Sequence, residues 1–492
     1  MKRKIFITGA TGTMGSCGLA ELAKRRDTFE TIALVRDSAK NHAKMAAYEK
    51  MPGICIYYGD LNRYEDVKHC VQGADYVLHV AAFISPKADY QPDEARRSNV
   101  DSTANIIRAI KELHQEASTH LVYIGSVAET GDRMPPLHWG RVGDPLKPSI
   151  YDNYAVTKIE AERLVIECGL AHWVSLRQTG ILYTDLLKVA DGINFHQPLE
   201  NCLEWITDKD SGVLLANVCE DWVAPEFWNH VYNIGGGASC RVTNYEFLLK
   251  TYQLMGVKDL GQVYERNWFA TRNFHGQWYE DSDRLEEFLH FRSQSMDDFL
   301  AELKGSLGSQ ALAVRLLPKA LIKKKNLQMA RTHNGTVHWL EKRIMPRIAA
   351  FYGSMEAQQA IGSFRDYEYQ RPSDVPMRLD HGYDERKPTA ELAISDMRQA
   401  AAWRGGKCLS EHMTPGDMRT PLKWQCALGH TFWGSPELIL KAGHWCPECT
   451  PAPWDYTKQA EVNPFFRQVW EPIWGDQPIG RYEREAYRDS LE

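Results

Sequence analysis

Lys4-Ile5-Phe6-Ile7-Thr8-Gly9-Ala10-Thr11-Gly12-Thr13-Met14-Gly15 opens the chain and governs how the rest is read. An apolar, β-rich run ends at Thr8, three glycines follow at a spacing of three, and Ser16–Lys24 has a helical composition. Glycines at a strand-to-helix turn let the backbone turn tightly and approach a pyrophosphate. The first N–H groups of the helix then meet the phosphate charge. On this reading Gly9, Thr11, Gly12, Met14 and Gly15 line a dinucleotide. Three glycines alone are a weak signal that an ordinary strand-to-helix turn can also give, so the weight rests on what surrounds them.

Outward from this turn, Thr31–Val35, Tyr76–Ala81 and Leu121–Ile124 read as further strands separated by helical stretches. The alternation extends to about Gly305 and predicts an α/β fold, a doubly wound parallel sheet with helices on both faces. The 492 residues suggest about three domains at roughly 100–200 residues each. With 43% hydrophobic and 25% charged residues the chain can bury a core, which excludes global disorder. A net charge of −6 argues against a protein built mainly to grip nucleic acid. The apolar stretch Tyr76–Ile84 is far short of the ~18 residues of a membrane span, so no transmembrane helix is expected. The charged opening imitates a signal peptide, but its apolar run stops at Ile7, leaving no room for an h-region of roughly 7–15 residues. Seven of the eleven cysteines are scattered from Cys17 to Cys240, the pattern of free thiols in a reducing, cytoplasmic compartment.

The second strand ends in Leu34-Val35-Arg36-Asp37. An acid at such a tip would bind the 2′-hydroxyl of NAD, whereas a guanidinium pairs with the 2′-phosphate of NADP. Arg36 therefore favours NADP(H), with Lys40 one turn later as a second cation and Asp37 keeping NAD(H) as the lesser option. Asp60 and Leu61 are placed at the adenine, and Ala81 and Ala82 where the backbone passes close to the cofactor. Tyr154 and Lys158 stand four residues apart, on one face of a helix. A neighbouring ammonium lowers a phenol's pKa from about 10 toward the working range and makes it a usable acid/base. Ser126 closes a strand, where its hydroxyl would hold a substrate oxygen against Tyr154.

With these residues the chain resembles the extended short-chain dehydrogenase/reductase family over roughly residues 2–305. The matching positions are Gly9, Gly12, Gly15, Asp60, Val80-Ala81-Ala82, Asn99-Val100, Ser126, Tyr154, Lys158, Leu176–Gly180 and Asn233–Gly237. The resemblance implies a Rossmann-type sheet with a smaller substrate subdomain, and an enzyme acting on a carbonyl or secondary alcohol. In that mechanism Tyr154 moves the proton, Lys158 tunes it and anchors the ribose, and Ser126 clamps the substrate oxygen. Asn99 and Gln178 fall among the implied cofactor contacts, and a homodimer is the expected assembly. Family dehydratases carry Asp-Glu directly after the serine; here Val127-Ala128 stand there, which disfavours dehydration. Arg36 looks more like the NADPH-using, dihydroflavonol reductase-like branch. A nucleotide-sugar epimerase with tightly held NAD is the first alternative, and a non-catalytic cofactor sensor or nucleic-acid-binding protein the second.

Beyond residue 305 the composition changes. Between Arg315 and Arg347 nine cations face one acid, Glu341. Such a run reads as amphipathic helices packed on their own protein, with a nucleic-acid or anionic membrane contact as the lesser reading. A connector ends near Pro388. Residues 389–455 then carry Cys426, His430, Cys446 and Cys449, two pairs spaced to converge on tetrahedral zinc. The setting resembles a bacterial treble-clef-like zinc-ribbon module, in which a closed four-ligand site is structural. Thr431–Trp445 between the pairs is expected to form a hairpin, and Cys408 is expected to be a packed thiol. The resulting division is 1–305, 306–388, 389–455 and a polar Trp/Tyr/Arg-rich tail, 456–492.

Overall fold

A computed structural model describes residues 2–188, 190–450 and 454–475; Pro451, Pro453 and the tail from 476 onward lie outside the described residues. Seven strands form one parallel sheet: β1 (Arg3–Thr8), β2 (Phe29–Val35), β3 (Ile54–Tyr58), β4 (Tyr76–His79), β5 (His120–Ser126), β6 (His172–Gln178) and β7 (His230–Ile234). Their order is β7-β6-β5-β4-β1-β2-β3. Every pairing is parallel. The expected doubly wound sheet is present. Central strands buried on both faces carry near-continuous apolar side chains, as Phe6, Ile7, Val77 and Leu78, all 0% exposed, illustrate.

Strand order reverses between β1 and β4, so a crevice opens beyond their carboxyl ends, at Thr8 and His79. Helix α1 (Thr13–Lys24) starts there, and α2 (Asn153–Ile166) lies against β5 and β6. The edge strand β3 was not among the expected strands. Its Cys55 is exposed and Ile56 to Tyr58 are half-buried, so Ile54–Tyr58 lacks the fully apolar run that marks the inner strands.

The basic segment is helical, as expected: α3 (Lys319–Ala330), α4 (Thr336–Lys342) and α5 (Met345–Tyr352). Five of its cations are engaged within the protein. Arg315 Nε, Lys319 Nζ and Lys323 Nζ donate to the carbonyls of Leu254, Met255 and Gly261 at 3.1, 3.1 and 3.0 Å. Arg331 pairs with Glu341 at 2.8 Å. Arg347, only 5% exposed, lies over the rings of Tyr151 and Trp339 at 4.1 and 5.4 Å.

The connector is sewn across the sheet domain. Arg141 grips the Glu385 carboxylate with two 2.8 Å bonds, and the 1%-exposed His381 bridges Asp144 and Glu385 at 2.9 and 2.8 Å. Burial lowers the pKa of His381, but the bonds to Asp144 and Glu385 outweigh it and hold the imidazole above its usual value. A folded pKa above the unfolded one gives stability that is complete below about pH 6.5 and lost as pH rises through the folded value. Proteolysis of the connector should therefore quicken between pH 6 and pH 9, and His381→Asn should flatten that dependence. An unchanged pH response in the variant would show that His381 is not the titrating group.

The C-terminal module opens with α6 (Ile394–Trp403) and a hairpin, β8 (Leu422–Gln425) and β9 (Thr431–Gly434). The hairpin therefore straddles the first ligand pair, with Cys426–His430 at its turn, and not the stretch between the pairs. Register explains it: Gln425 faces Thr431 across the ladder, and the Cys426 N–H closes on the His430 carbonyl at 3.0 Å. Glu437–Lys441 follows as a π-helical turn. Buried Trp424, Leu438, Ile439 and Leu440 pack in one continuous core with Tyr123 of β5 and Val165 and Ile166 of α2. The module thus shares the core of the sheet domain.

Candidate active site and metal centre

The nucleotide end is built by sterics. Gly9 has φ +73°, and a Cβ there would sit 2.7 Å from the Ala81 nitrogen; a Cβ on Gly15 would sit 2.2 Å from the Gly9 oxygen. Both positions exclude side chains because protein backbone passes close by. Gly12 is different: its nearest neighbour would be 3.4 Å away, so packing alone does not demand glycine. Gly12 caps α1 with no side-chain bond to the first N–H groups, which leaves them open toward an anion. Lys44, missed in the sequence although it lies one turn beyond Lys40, donates to the Thr11 carbonyl at 2.8 Å and adds positive charge at this loop. Met14 is buried beneath it.

A chain of bonds locks the crevice floor. The Thr8 Oγ1 accepts from the Val80 and Ala81 N–H groups and lies 3.0 Å from His79 Nδ1, while His79 Nε2 lies 2.9 Å from Thr103 Oγ1. Thr103 in turn donates to the Asn99 carbonyl. Burial, then the Lys158 charge, depress the pKa of His79 to about 3, so the imidazole is neutral and relays hydrogen bonds. Asn99 spends its amide on Phe83 and Thr157, tying the loop after β4 to α2. The structure therefore places Asn99 as a brace behind Ala81 and Ala82.

Arg36 stands exposed at the tip of β2, and Lys40 is exposed one turn on. Asp37 is turned to His42, Oδ1 to Nε2 at 2.8 Å. Asp60 is exposed at the end of β3, its carboxylate accepting the Asn62 N–H at 2.9 Å, with Leu61 half-buried beside it. Gln178 ends β6, and its Oε1 is buried without a hydrogen-bond partner. A helix N-terminus without a side-chain cap, a glycine with room at its Cβ and an orphaned amide oxygen fit a dinucleotide lying across the crevice.

Ser126 ends β5, and Tyr154 and Lys158 project from α2, so the structure brings all three sequence-selected residues together. The Ser126 Oγ accepts the Ala128 N–H at 3.2 Å, with the Tyr154 phenol close enough to be influenced by it. Burial pushes that phenol above its ordinary pKa; the Ser126 bond opposes this, and the Glu129 and Asp152 charges add to it. Lys158 Nζ donates to the Ile124 carbonyl at 2.5 Å and lies 4.2 Å over the Tyr123 ring. Burial lowers the Lys158 pKa to about 8, against the pull of Glu129 and Glu162. The ammonium is thus directed at the strand behind Ser126, and the lowering of the phenol's pKa expected from it is not present in this geometry.

Beneath the three residues lies an ionic cluster with no solvent exposure: Glu129, Glu162 and Arg177. Arg177 Nη2 and Nε bond Glu162 at 2.7 and 3.1 Å, and Nε lies 3.4 Å from Glu129. The Glu129 Oε1 accepts the Ser126 N–H at 2.7 Å, closing a capping box. Burial drives the Glu129 pKa well up, followed by the charge of Glu162; Arg177 and the bond to His444 hold Glu162 low against its own burial. The sequence reading missed this cluster. On the open side, Asp89 carries a buried unpartnered Oδ1, and burial and Asp152 push its pKa to about 8.

In the module, Cys426 Sγ, Cys446 Sγ and Cys449 Sγ lie 3.5, 3.5 and 3.4 Å from His430 Nδ1, and Cys426 Sγ lies 3.9 Å from Cys449 Sγ. All four donor atoms fall within 4.8 Å of one another. Zn–S of about 2.3 Å and Zn–N of about 2.0 Å put tetrahedral donors roughly 3.5–3.8 Å apart. The donor set therefore fits zinc in both chemistry and spacing. Cys408 is half-buried against the shared core and outside this cluster.

Residues 5–179 match the NAD dependent epimerase/dehydratase family. UDP-glucose 4-epimerase of Rickettsia bellii (strain RML369-C) is 32% identical over 111 residues, 22% of this chain and 32% of that protein. The chain thus spans about a third of the length of the curated relatives it matches. Among solved structures, dTDP-glucose 4,6-dehydratase of Bacillus anthracis in complex with NAD has a TM-score of 0.49 at 16% identity, over 62% of this chain and 97% of that one. The UDP-Glc/GlcNAc 4-epimerase of Campylobacter jejuni has a TM-score of 0.48 at 18% identity, over 63% and 99%. No described helix is long and apolar enough to cross a membrane.

Proposed function

We propose that the protein is an NAD(P)-dependent oxidoreductase of the epimerase/dehydratase type that interconverts a carbonyl and a secondary alcohol on a small-molecule substrate, with NADP(H) preferred. One observation carries the reading: at the carboxyl edge of the parallel sheet Ser126 ends β5 with Tyr154 and Lys158 of α2 beside it, and the glycine turn after β1 opens on the same edge. The bound nicotinamide would supply or accept the hydride. Ser126 Oγ holds the substrate oxygen toward the phenol. Tyr154 gives that oxygen a proton in reduction and takes it in oxidation. Its raised pKa keeps the phenol protonated at neutral pH, which suits the reductive direction. Lys158, cationic below about pH 8, keeps positive charge on the strand behind Ser126. Gly9 to Gly15, Lys44, Asp60 and Gln178 line the dinucleotide.

NADP(H) preference rests on Arg36, exposed at the strand tip while Asp37 is occupied by His42. Arg36→Ala should weaken NADPH binding by roughly 10- to 150-fold, the worth of a charge-assisted pair of about 1.5–3 kcal/mol, while barely changing NADH binding. Equal losses measured by fluorescence titration would show that Arg36 does not read the 2′-phosphate.

A nucleotide-sugar epimerase is the second reading, favoured by the 111-residue similarity to UDP-glucose 4-epimerase. Incubation with UDP-glucose and product analysis separates the two. An epimerase converts the sugar without net consumption of dinucleotide, whereas the proposed oxidoreductase consumes NADPH with a carbonyl substrate and leaves UDP-glucose unchanged. Zinc in the Cys426/His430/Cys446/Cys449 cluster has a structural part in either reading, since four protein donors leave no position for a reacting water.

A further inference from the structure

The C-terminal module grips the back of the catalytic helix. Arg163 of α2 donates to the carbonyls of Trp433 and Trp445 at 2.8 and 3.1 Å. Glu167, just past the end of α2, accepts from the Ser435 N–H and hydroxyl at 3.0 and 2.6 Å. Two more bonds go deeper. His444, 2% exposed, places Nε2 2.8 Å from the Glu162 Oε2, and Arg177 Nη2 donates to the Ala442 carbonyl at 2.7 Å. Glu162 bonds Arg177, Arg177 lies against Glu129, and Glu129 holds the Ser126 N–H. An unbroken buried path therefore runs from His444 to the backbone of Ser126. At its other end His444 is two residues from Cys446, inside the loop that the metal cluster closes.

The alternative of a passive clamp is weak on physical grounds. A clamp needs only the bonds of Arg163 and Glu167. Here the module instead supplies a donor to Glu162 and an acceptor to Arg177, two charges that are 0% exposed. Arg177 already has an Nη1 without a partner, so the loss of Ala442 would leave its guanidinium further undersatisfied. Buried charges tolerate few such losses before their surroundings shift. The element free to shift is the Glu129 carboxyl, whose Oε2 has no hydrogen bond of its own.

We propose that the C-terminal module is a positioning element for the active site, and that His444 is the positioning residue, acting through Glu162, Arg177 and Glu129 on Ser126. The functional consequence rests on the reading of Ser126, Tyr154 and Lys158 given above; the structural coupling does not. The test is amide hydrogen exchange of the full-length, zinc-loaded protein, followed at Ser126–Thr130, with zinc content and NADPH affinity measured alongside. His444→Ala should speed exchange at Ser126 by tenfold or more while zinc and NADPH binding stay near normal. His444→Gln, whose amide can still donate to Glu162, should restore much of the protection. Arg163→Ala, which cuts the bonds to the Trp433 and Trp445 carbonyls but none to Glu162, Arg177 or Glu129, should loosen the end of α2 and leave Ser126 protected. Should His444→Ala fail to fold, the wild-type chain stripped of zinc by a chelator must show the same loosening at Ser126. Unchanged exchange at Ser126 in His444→Ala or in the stripped protein, or equal loosening in Arg163→Ala, would overturn the proposal. If the exchange responds as expected but Tyr154→Phe stays active, the coupling stands and the catalytic assignment falls.

Discussion

Tyr154→Phe should keep the fold and the cofactor affinity and lower the maximal rate by ~10²-fold or more. The substitution removes one oxygen from a side chain whose ring stays packed on α2, so no cavity opens and the sheet is untouched. What is lost is the phenol that stands beside Ser126 at the end of β5. The raised pKa of that phenol also fixes the sense of the pH profile. Carbonyl reduction uses the protonated form, so its rate should be level through neutral pH and should fall once Lys158 loses its charge above about pH 8. Alcohol oxidation needs the phenolate and should rise with pH over the same range. In Tyr154→Phe both profiles should flatten at the residual rate. Near-normal turnover in the variant would remove Tyr154 from the mechanism whatever its position.

The parts legible in the sequence are those encoded over short distances. Gly9, Gly12 and Gly15 announce a strand-to-helix turn because three glycines within seven residues have few other uses. Tyr154 and Lys158 share a helix face by spacing alone, and Cys426–His430 and Cys446–Cys449 are each local pairs. Strands β1, β2, β4 and β5 were legible from their apolar runs, whereas β3, half-exposed at the edge, gave no comparable run and the inner β6 is interrupted by His172, Ser175, Arg177 and Gln178. The hairpin of the module was misplaced because spacing shows that two ligand pairs converge, but not which pair occupies the turn. The deepest features were hidden for a different reason. Glu162 and His444 lie 282 residues apart, and Arg177 and Ala442 lie 265 apart. Each in isolation reads as an ordinary helix acid, strand arginine or loop histidine. Only the fold shows that they meet in the interior, and that a segment that looks like a separate module completes the interior of the sheet domain. The cations of Arg315–Arg347 teach the same point. Their sign was plain in the sequence, but the carbonyls of Leu254, Met255 and Gly261 that receive three of them were not.

Purified protein should carry about one zinc per chain, and Cys446→Ser should release it. The four donors already stand at separations a tetrahedral zinc requires, and protonated or unbound thiols have no reason to gather around one imidazole nitrogen. In so small a module most of the binding free energy is folding energy, with apparent values of about 10–16 kcal/mol for isolated zinc-finger peptides near pH 7. Part of that energy is replaced here by the shared core, because Trp424, Leu438 and Ile439 stay buried against Val165 and Ile166 whether or not the metal is bound. The variant should therefore remain folded as a whole but melt on the order of 5–10 °C lower, consistent with a loss of several kcal/mol spread over a large chain. The first proteolytic cuts should fall between Pro447 and Thr450, beyond the ring contacts of Trp445 with Trp424 and Phe432 that hold the start of this loop to the hairpin. Residues 2–305 keep their own sheet, so NADPH should still bind. Metal analysis finding no zinc in the unaltered protein, or full occupancy after Cys446→Ser, would refute the assignment. A variant that loses zinc yet melts where the wild type does would show that the metal does not contribute to holding the module on α2.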